Sequence, residues 1–165
     1  MKNYLALVLL CTLTILSCKK EASIQFTKFT ADFSNTFGNQ DLQINQSYIY
    51  GDGNIKFETL HYFLSDIALV KEDGSIVKLS EVERLDFTPT GTDQSPIHFQ
   101  LVRDSIPVGK YTALRFGFGV KPSLNALSPA QFKVEDPLGK NADYWQSWRS
   151  YIFSTMEGRQ RPTHT

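Results

Sequence analysis

Apolar and polar positions alternate along much of this chain, with the two-residue period of strands rather than the 3.6-residue period of helices. In SIQFTKFTADF, Ile24 and Phe26 keep one phase and Phe29, Ala31 and Phe33 the next. The slip between them, at Thr27 and Lys28, predicts a β-bulge. The turn residues Gly51, Asp52, Gly53 and Asn54 introduce NIKFETLHYFLSDIALV. Its middle is apolar on both faces, as in a strand covered on both sides. Asp73-Gly74 then predicts a two-residue hairpin with a type I′ turn. SPIHFQL places Ile97, Phe99 and Leu101 on one face. IPVGKYTALRFGFGV alternates most cleanly of all: Thr112, Leu114, Phe116, Phe118 and Val120 share one face, and Tyr111, Ala113, Arg115, Gly117 and Gly119 the other. Phe63, Leu114, Phe116 and Phe118 are the expected core.

No stretch carries apolar spacing of three and four over helical length, and no repeat or linker divides the chain. The pattern predicts one all-β domain over residues 24–165, an antiparallel β-sandwich of Ig-like or jelly-roll-like kind. Residues 121–143 break the alternation with three prolines and read as a long irregular loop. A single helical turn is expected at SPAQF, with Ser128 as cap and Pro129 in the first position. The loop leads into ADYWQSWRSYIFSTMEGR, where Trp145 and Trp148 stand three residues apart. Such a pair faces opposite sides of a strand but the same side of a helical turn. It reads either as a cover over one end of the sandwich or as a site that uses two indoles. SYIFSTM reads as a strand followed by the polar tail RQRPTHT, which leaves an open sheet edge or uncovered apolar face near Tyr151 and Phe153.

The start of the chain is of another kind. MKNYLALVLLCTLTILSCKKE has a basic start, an uncharged run too short to span a bilayer comfortably, and then Cys18. Ile15, Leu16 and Ser17 before that cysteine resemble a bacterial lipobox. Residues 1–17 are expected to be a lipoprotein signal peptide, Cys18 the lipid-attachment site, and residues 18–23 a lipid-proximal tether. The other reading is an ordinary export signal with an incidental cysteine. Lipid attachment would place the domain outside the cytoplasm, in the cell envelope, held at the outer membrane. Cys11 falls within the signal, so Cys18 is the sole cysteine beyond it and no disulfide is expected.

Candidate chemistry is thin. Lysine plus arginine equals aspartate plus glutamate at 17 each, so charge calls for no nucleic acid. There is no Gly-rich phosphate loop, no HExxH, no CxxC and no serine in a nucleophile-elbow context, so no enzyme activity is expected. Glu81 and Glu83 read as a solvated turn or edge rather than a catalytic pair. His98 is expected at the surface and His164 lies next to the end of the chain. His61, mid-strand, reads as a hydrogen-bonded interior histidine, with a metal ligand as the sharper alternative.

Three stretches in order, LHYFLSDIALVKEDGS, IPVGKYTALRFGFGV and the aromatic run ending YIFSTMEG, resemble the MbnP-like family of exported copper-binding β proteins. The family pattern runs tyrosine, aromatic, leucine, serine, asparagine, isoleucine; then Pro-x-Gly-x-Tyr leading to Gly-Val; then a tryptophan-rich segment before Gly-Tyr and Glu-Gly. Tyr62, Phe63, Leu64, Ser65, Asp66 and Ile67 hold the first set of places. Pro107, Gly109, Tyr111, Gly119 and Val120 hold the second, and Trp145, Tyr151, Glu157 and Gly158 the third. The resemblance implies copper binding without catalysis, Trp145 as a buried wall of the metal site, and a dihaem peroxidase-like partner enzyme. The tryptophan spacing departs from the family's Trp-x-Trp, and Ser150 stands where the family has glycine. Members also continue past Glu-Gly into a histidine-containing segment, so this chain is expected to lack the C-terminal part of the domain and to bind copper weakly or not at all. His61 is then the one metal-ligand candidate. The reading from a different class is an adhesion or glycan-associated sandwich, whose tryptophans would be open to solvent.

Mass spectrometry of membrane-extracted protein should find Cys18 lipid-modified and N-terminal, and Cys18→Ser should release the protein from the membrane. An unmodified Cys18 would refute the anchor.

Overall fold

The computed structural model describes residues 23–89 and 97–162. The strands are β1 (Phe26–Phe33), β2 (Thr36–Phe37), β3 (Gln40–Asp41), β4 (Ser47–Tyr50) and β5 (Gly53–Lys71). They continue with β6 (Ile76–Asp86), β7 (Phe99–Pro107) and β8 (Tyr111–Phe118). After the short helix α1 (Pro122–Asn125) come β9 (Tyr144–Trp145), β10 (Ser150–Tyr151) and β11 (Ser154–Pro162). All ladders are antiparallel, and the architecture is a sandwich.

β5 is its spine. On one edge it pairs first with β4 and then with β6; on the other, first with β11 and then with β8. Its register shifts against β11 near Glu58 and against β8 near Asp66. Each extra residue flips the alternation, because side chains switch face every residue. Phe57, Leu60, Leu64, Ile67 and Leu69 consequently all reach one core although their sequence spacing is uneven. Asp66 has a positive φ of 51°, a conformation in which Asp and Asn are enriched.

The β1–β7 ribbon closes that core from above with Ala31, Leu101 and Ile106. The register shift at Thr27 and Phe29 is present, but its extra residue lies on β7 between Arg103 and Ile106, where Ser105 is left-handed with φ 61°, so β1 itself alternates without a bulge. Leu101 is buried with Ile97 and Phe99 packed beside it. The opposite face of β5 is covered by irregular chain: Phe63 packs with Val120, Leu138, Tyr144 and Tyr151. The loop after residue 120 is thus a layer of the sandwich. Pro129–Gln131 forms the expected helical turn as a 3-10 turn with Pro129 first, though the Ser128 side chain makes no cap hydrogen bond.

Several expectations need correction. The β5–β6 hairpin is present, but only Gly74 is left-handed, with φ 82°. Gly74 N–H donates to Lys71 O at 2.9 Å and Lys71 N–H to Ser75 O at 2.8 Å, which makes a three-residue loop with a glycine bulge instead of type I′. The clean alternation from Ile106 to Val120 is two strands, not one, since β7 pairs with β1 and β8 with β5. Phe116 and Phe118 are not core: they are 46% and 65% exposed. They point to the core side as alternation requires, and touch Phe33 and Tyr62 edge-on or tilted. The two-stranded ribbon is too narrow to cover them. Finally, RQRP is not a tail but the end of β11, reaching Pro162 opposite Gly53. Tyr151 is buried, while Phe153 is exposed as expected, together with Met156 of β11 and with Phe116 and Phe118 of β8.

Burial sets the mutational contrast. Phe63→Ala should lower unfolding free energy by roughly 3–5 kcal/mol, whereas Phe116→Ala should cost about 1 kcal/mol. Denaturant titration of both variants checks the order, and equal losses would refute this account of the core.

Candidate functional site

The three family-like stretches meet around Phe63. Gly119 N–H donates to Phe63 O at 2.7 Å, and Phe63 N–H donates to Phe153 O at 3.0 Å. The buried Ser65 hydroxyl donates to Gly119 O and accepts Lys121 N–H at 3.1 Å. Gly119 is left-handed, φ 94°, and a Cβ there would stand 2.5 Å from the Phe153 ring. A Cβ at Gly158 would run into the Lys56 carbonyl across the ladder. The glycines and the serine of these motifs are therefore there for close backbone approach, not for chemistry.

Beside Phe63 on the same face of β5 lies His61, in register with Asp86 of β6 and buried. Its Nε2 is 3.1 Å from Oδ1 of buried Asp143, without a well-formed hydrogen bond between them. Arg84 Nε donates to Asp143 Oδ2 at 2.6 Å and the guanidinium also pairs with Asp86. Burial, then the Arg84 charge, pushes the His61 pKa below its ordinary 6.5, against the pull of Asp143 and Asp86. Burial works against ionised Asp86, yet its hydrogen bonds from Arg84 and Thr88 prevail and hold its carboxyl below the usual range. Tyr151 is pushed up to about 12, by burial first and then by Tyr144; its hydroxyl donates to Leu138 O at 2.8 Å.

Asp143 leads directly into the tryptophans. β9 and β10 pair Trp145 with Ser150 and Tyr144 with Tyr151, and Trp148 N–H turns back to Trp145 O at 3.2 Å. This tight turn, with Arg149 left-handed at φ 53°, places both indoles on one side. They stack with centroids 4.4 Å apart and planes at 10°. Trp145 is 49% exposed and Trp148 72%. Neither is a cover over the sandwich end, and Trp145 is not a buried wall. The turn swings the rings outward, over a shallow groove of about 370 Å³ lined by Ser150, Ile152, Phe153 and Ser154.

His98 is exposed as expected, 3.3 Å from Asp32. Glu81 pairs with Lys121 and Lys78, and Glu83 with Arg103 of the ribbon, so the two carboxylates serve separate ion pairs. Cys18 and His164 lie outside the described residues. Asp143 and Arg84 were missed by sequence reading. Val82, Arg84 and Asp86 share one face of β6, and an arginine in phase with an apolar residue was the available signal for Arg84.

A copper centre here would have to draw its donors from these groups. The unbonded, buried Nε2 of His61 is a suitable donor, but the Arg84 cation already occupies the Asp143 and Asp86 carboxylates around it. Among the described residues no three His, Cys, Asp or Glu side chains converge as a metal-binding group. These residues do not fit a tight copper site, which needs several soft or imidazole donors.

A family model, MbnP, matches residues 26–165. No curated protein and no solved structure matches the chain.

Below pH 6.5, the unfolded chain takes up a proton that folded His61 resists, so stability is full above that pH and lost as pH falls. The slope from one group is at most about 1.4 kcal/mol per pH unit. Denaturation at pH 7.5 and 5.5 should show His61→Gln losing less on acidification than the parent chain; equal losses would exclude His61 as the source.

Proposed function

The chain belongs to the MbnP family, and from that premise we propose a lipid-anchored, non-catalytic protein of the cell envelope that handles copper outside the cytoplasm. The match over residues 26–165 is the observation that carries this reading. The export-type start and Cys18 support the anchor. His61 offers one imidazole donor beside Asp143, so the copper contact proposed for these residues is weak and exchangeable. A dihaem peroxidase-like partner is carried over from the family resemblance, and the open face of Trp145 gives such a partner access.

The stacked, solvent-open indoles favour a second reading, a platform on which flat sugar faces stack. A buried metal-site wall would close off those rings, and here they are open.

Equilibrium dialysis of the mature chain against Cu(I) and Cu(II) separates the two, with tryptophan emission followed in parallel. Binding weaker than micromolar, reduced in His61→Gln, is the expected result. Stoichiometric sub-micromolar binding abolished in that variant would instead make His61 part of a tight centre. Emission quenched by oligosaccharides, and not in Trp148→Ala, would establish the second reading.

A further inference from the structure

One end of the sandwich gathers the entry of the chain and two turns. Phe26 lies opposite Pro107 in the β1–β7 ladder, and Val108 N–H donates to Gln25 O at 2.8 Å. Residues 108–110 and the 72–75 turn meet there, since Glu72 N–H donates to Lys110 O at 3.2 Å. Ile24, Phe26 and Val108, close together at this end, are each more than half exposed. Lys110 and Glu72 flank them as a loose, solvent-open pair at 3.7 Å. Alternation explains why Ile24 and Phe26 stay outside: β1 carries no extra residue, so they keep the phase opposite to the core residues Ala31 and Phe33.

We propose that this end, through Ile24, Phe26 and Val108, rests in the interfacial layer of the bilayer to which Cys18 is anchored; this rests on the lipid-anchor reading above. Four residues, making five Cα–Cα steps, separate Cys18 from Ser23, the first described residue. At about 3.5 Å per residue they reach about 18 Å at most, and the head-group layer takes about 5–8 Å of that. The domain therefore cannot stand far from the membrane, and the end it must turn downward is the one bearing unburied apolar side chains. Lys110 is placed where a long basic side chain reaches head groups. Lipid chains of one anchor set distance; a second, apolar contact sets orientation. The Trp145–Trp148 face is then held away from the anchored end, since it attaches through Asp143 near the middle of β5 at His61.

The test uses the full acylated chain in phospholipid vesicles. Once Cys18 is acylated no other thiol follows it in the sequence, so Val108→Cys or Ile49→Cys can carry an environment-sensitive fluorophore. Ile49 is the control, exposed and paired near the opposite end of β5. The expected result is blue-shifted emission at position 108, quenched by a bilayer-resident quencher, and water-like emission at position 49. Phe26→Asp should abolish the shift at 108 while the lipid mass on Cys18 persists. Water-like emission at 108 with Cys18 acylated would overturn the docking and leave the anchor standing. Equal quenching at both positions would also overturn it, and absence of lipid on Cys18 would overturn anchor and docking together.

Discussion

Everything in this sandwich hangs on β5 having to satisfy two edges and two faces over 19 residues. A strand that long cannot keep its apolar side chains on one face by simple alternation unless the partners on both sides agree in register over its whole length. The chain meets this with local irregularities near Glu58 and Asp66, which return Phe57, Leu60, Leu64 and Ile67 to one core. With four strands drawn from both sides, β5 leaves the ribbon β1–β7 to close only one face. The other face is left to irregular chain, and that is where the family-like motifs interlock.

The covering segment is tied down by buried charge as well as by apolar contact. Arg84, Asp86, Asp143 and His61 join the sheet to the loop that carries the indoles. Burying such a set gains little over apolar packing, but removing one member strands the others at a cost of several kcal/mol. Arg84 decides the local chemistry. Its guanidinium answers both carboxylates, so a cation approaching His61 meets a positive charge and carboxylates already committed. The same network that fixes the loop therefore works against a metal centre among these residues.

Much of the fold was legible because period-two alternation is a local property. The two-sided burial of β5, the inward face of Ile97, Phe99 and Leu101, and the turn at Pro129 were all readable from neighbours in sequence, whereas the slip read as a bulge in β1 is an extra residue on β7. What failed depends on distant chain. Alternation correctly gave the facing of Phe116 and Phe118, but their exposure depends on how wide the opposing ribbon is. RQRP lacks apolar signal because β11 runs along an edge, held by ladder hydrogen bonds to Lys56 and Ile55 rather than by burial. At the site, His61 was visible as an interior histidine, whereas its partner Asp143 sits 82 positions away with no pattern to mark it. The tryptophans were recognisable as a pair; their outward stacking follows from a hydrogen-bonded turn that spacing alone leaves open.

That stacking is displayed rather than structural. An aromatic pair contributes about 0.5–1.5 kcal/mol beyond area burial, too little to hold a turn whose outer ring is mostly in water. The turn is held elsewhere. Asn125 accepts Tyr151 N–H at 2.8 Å and shares hydrogen bonds with Ser150, while Ile152 N–H donates to Asp143 O at 2.8 Å. Below it, Tyr144 and Tyr151 meet edge to face within the second core. Each anchor lies under or beside the hairpin, and none uses an indole. The backbone of this hairpin is thus fixed independently of the two indoles, which stack on each other and remain largely in solvent.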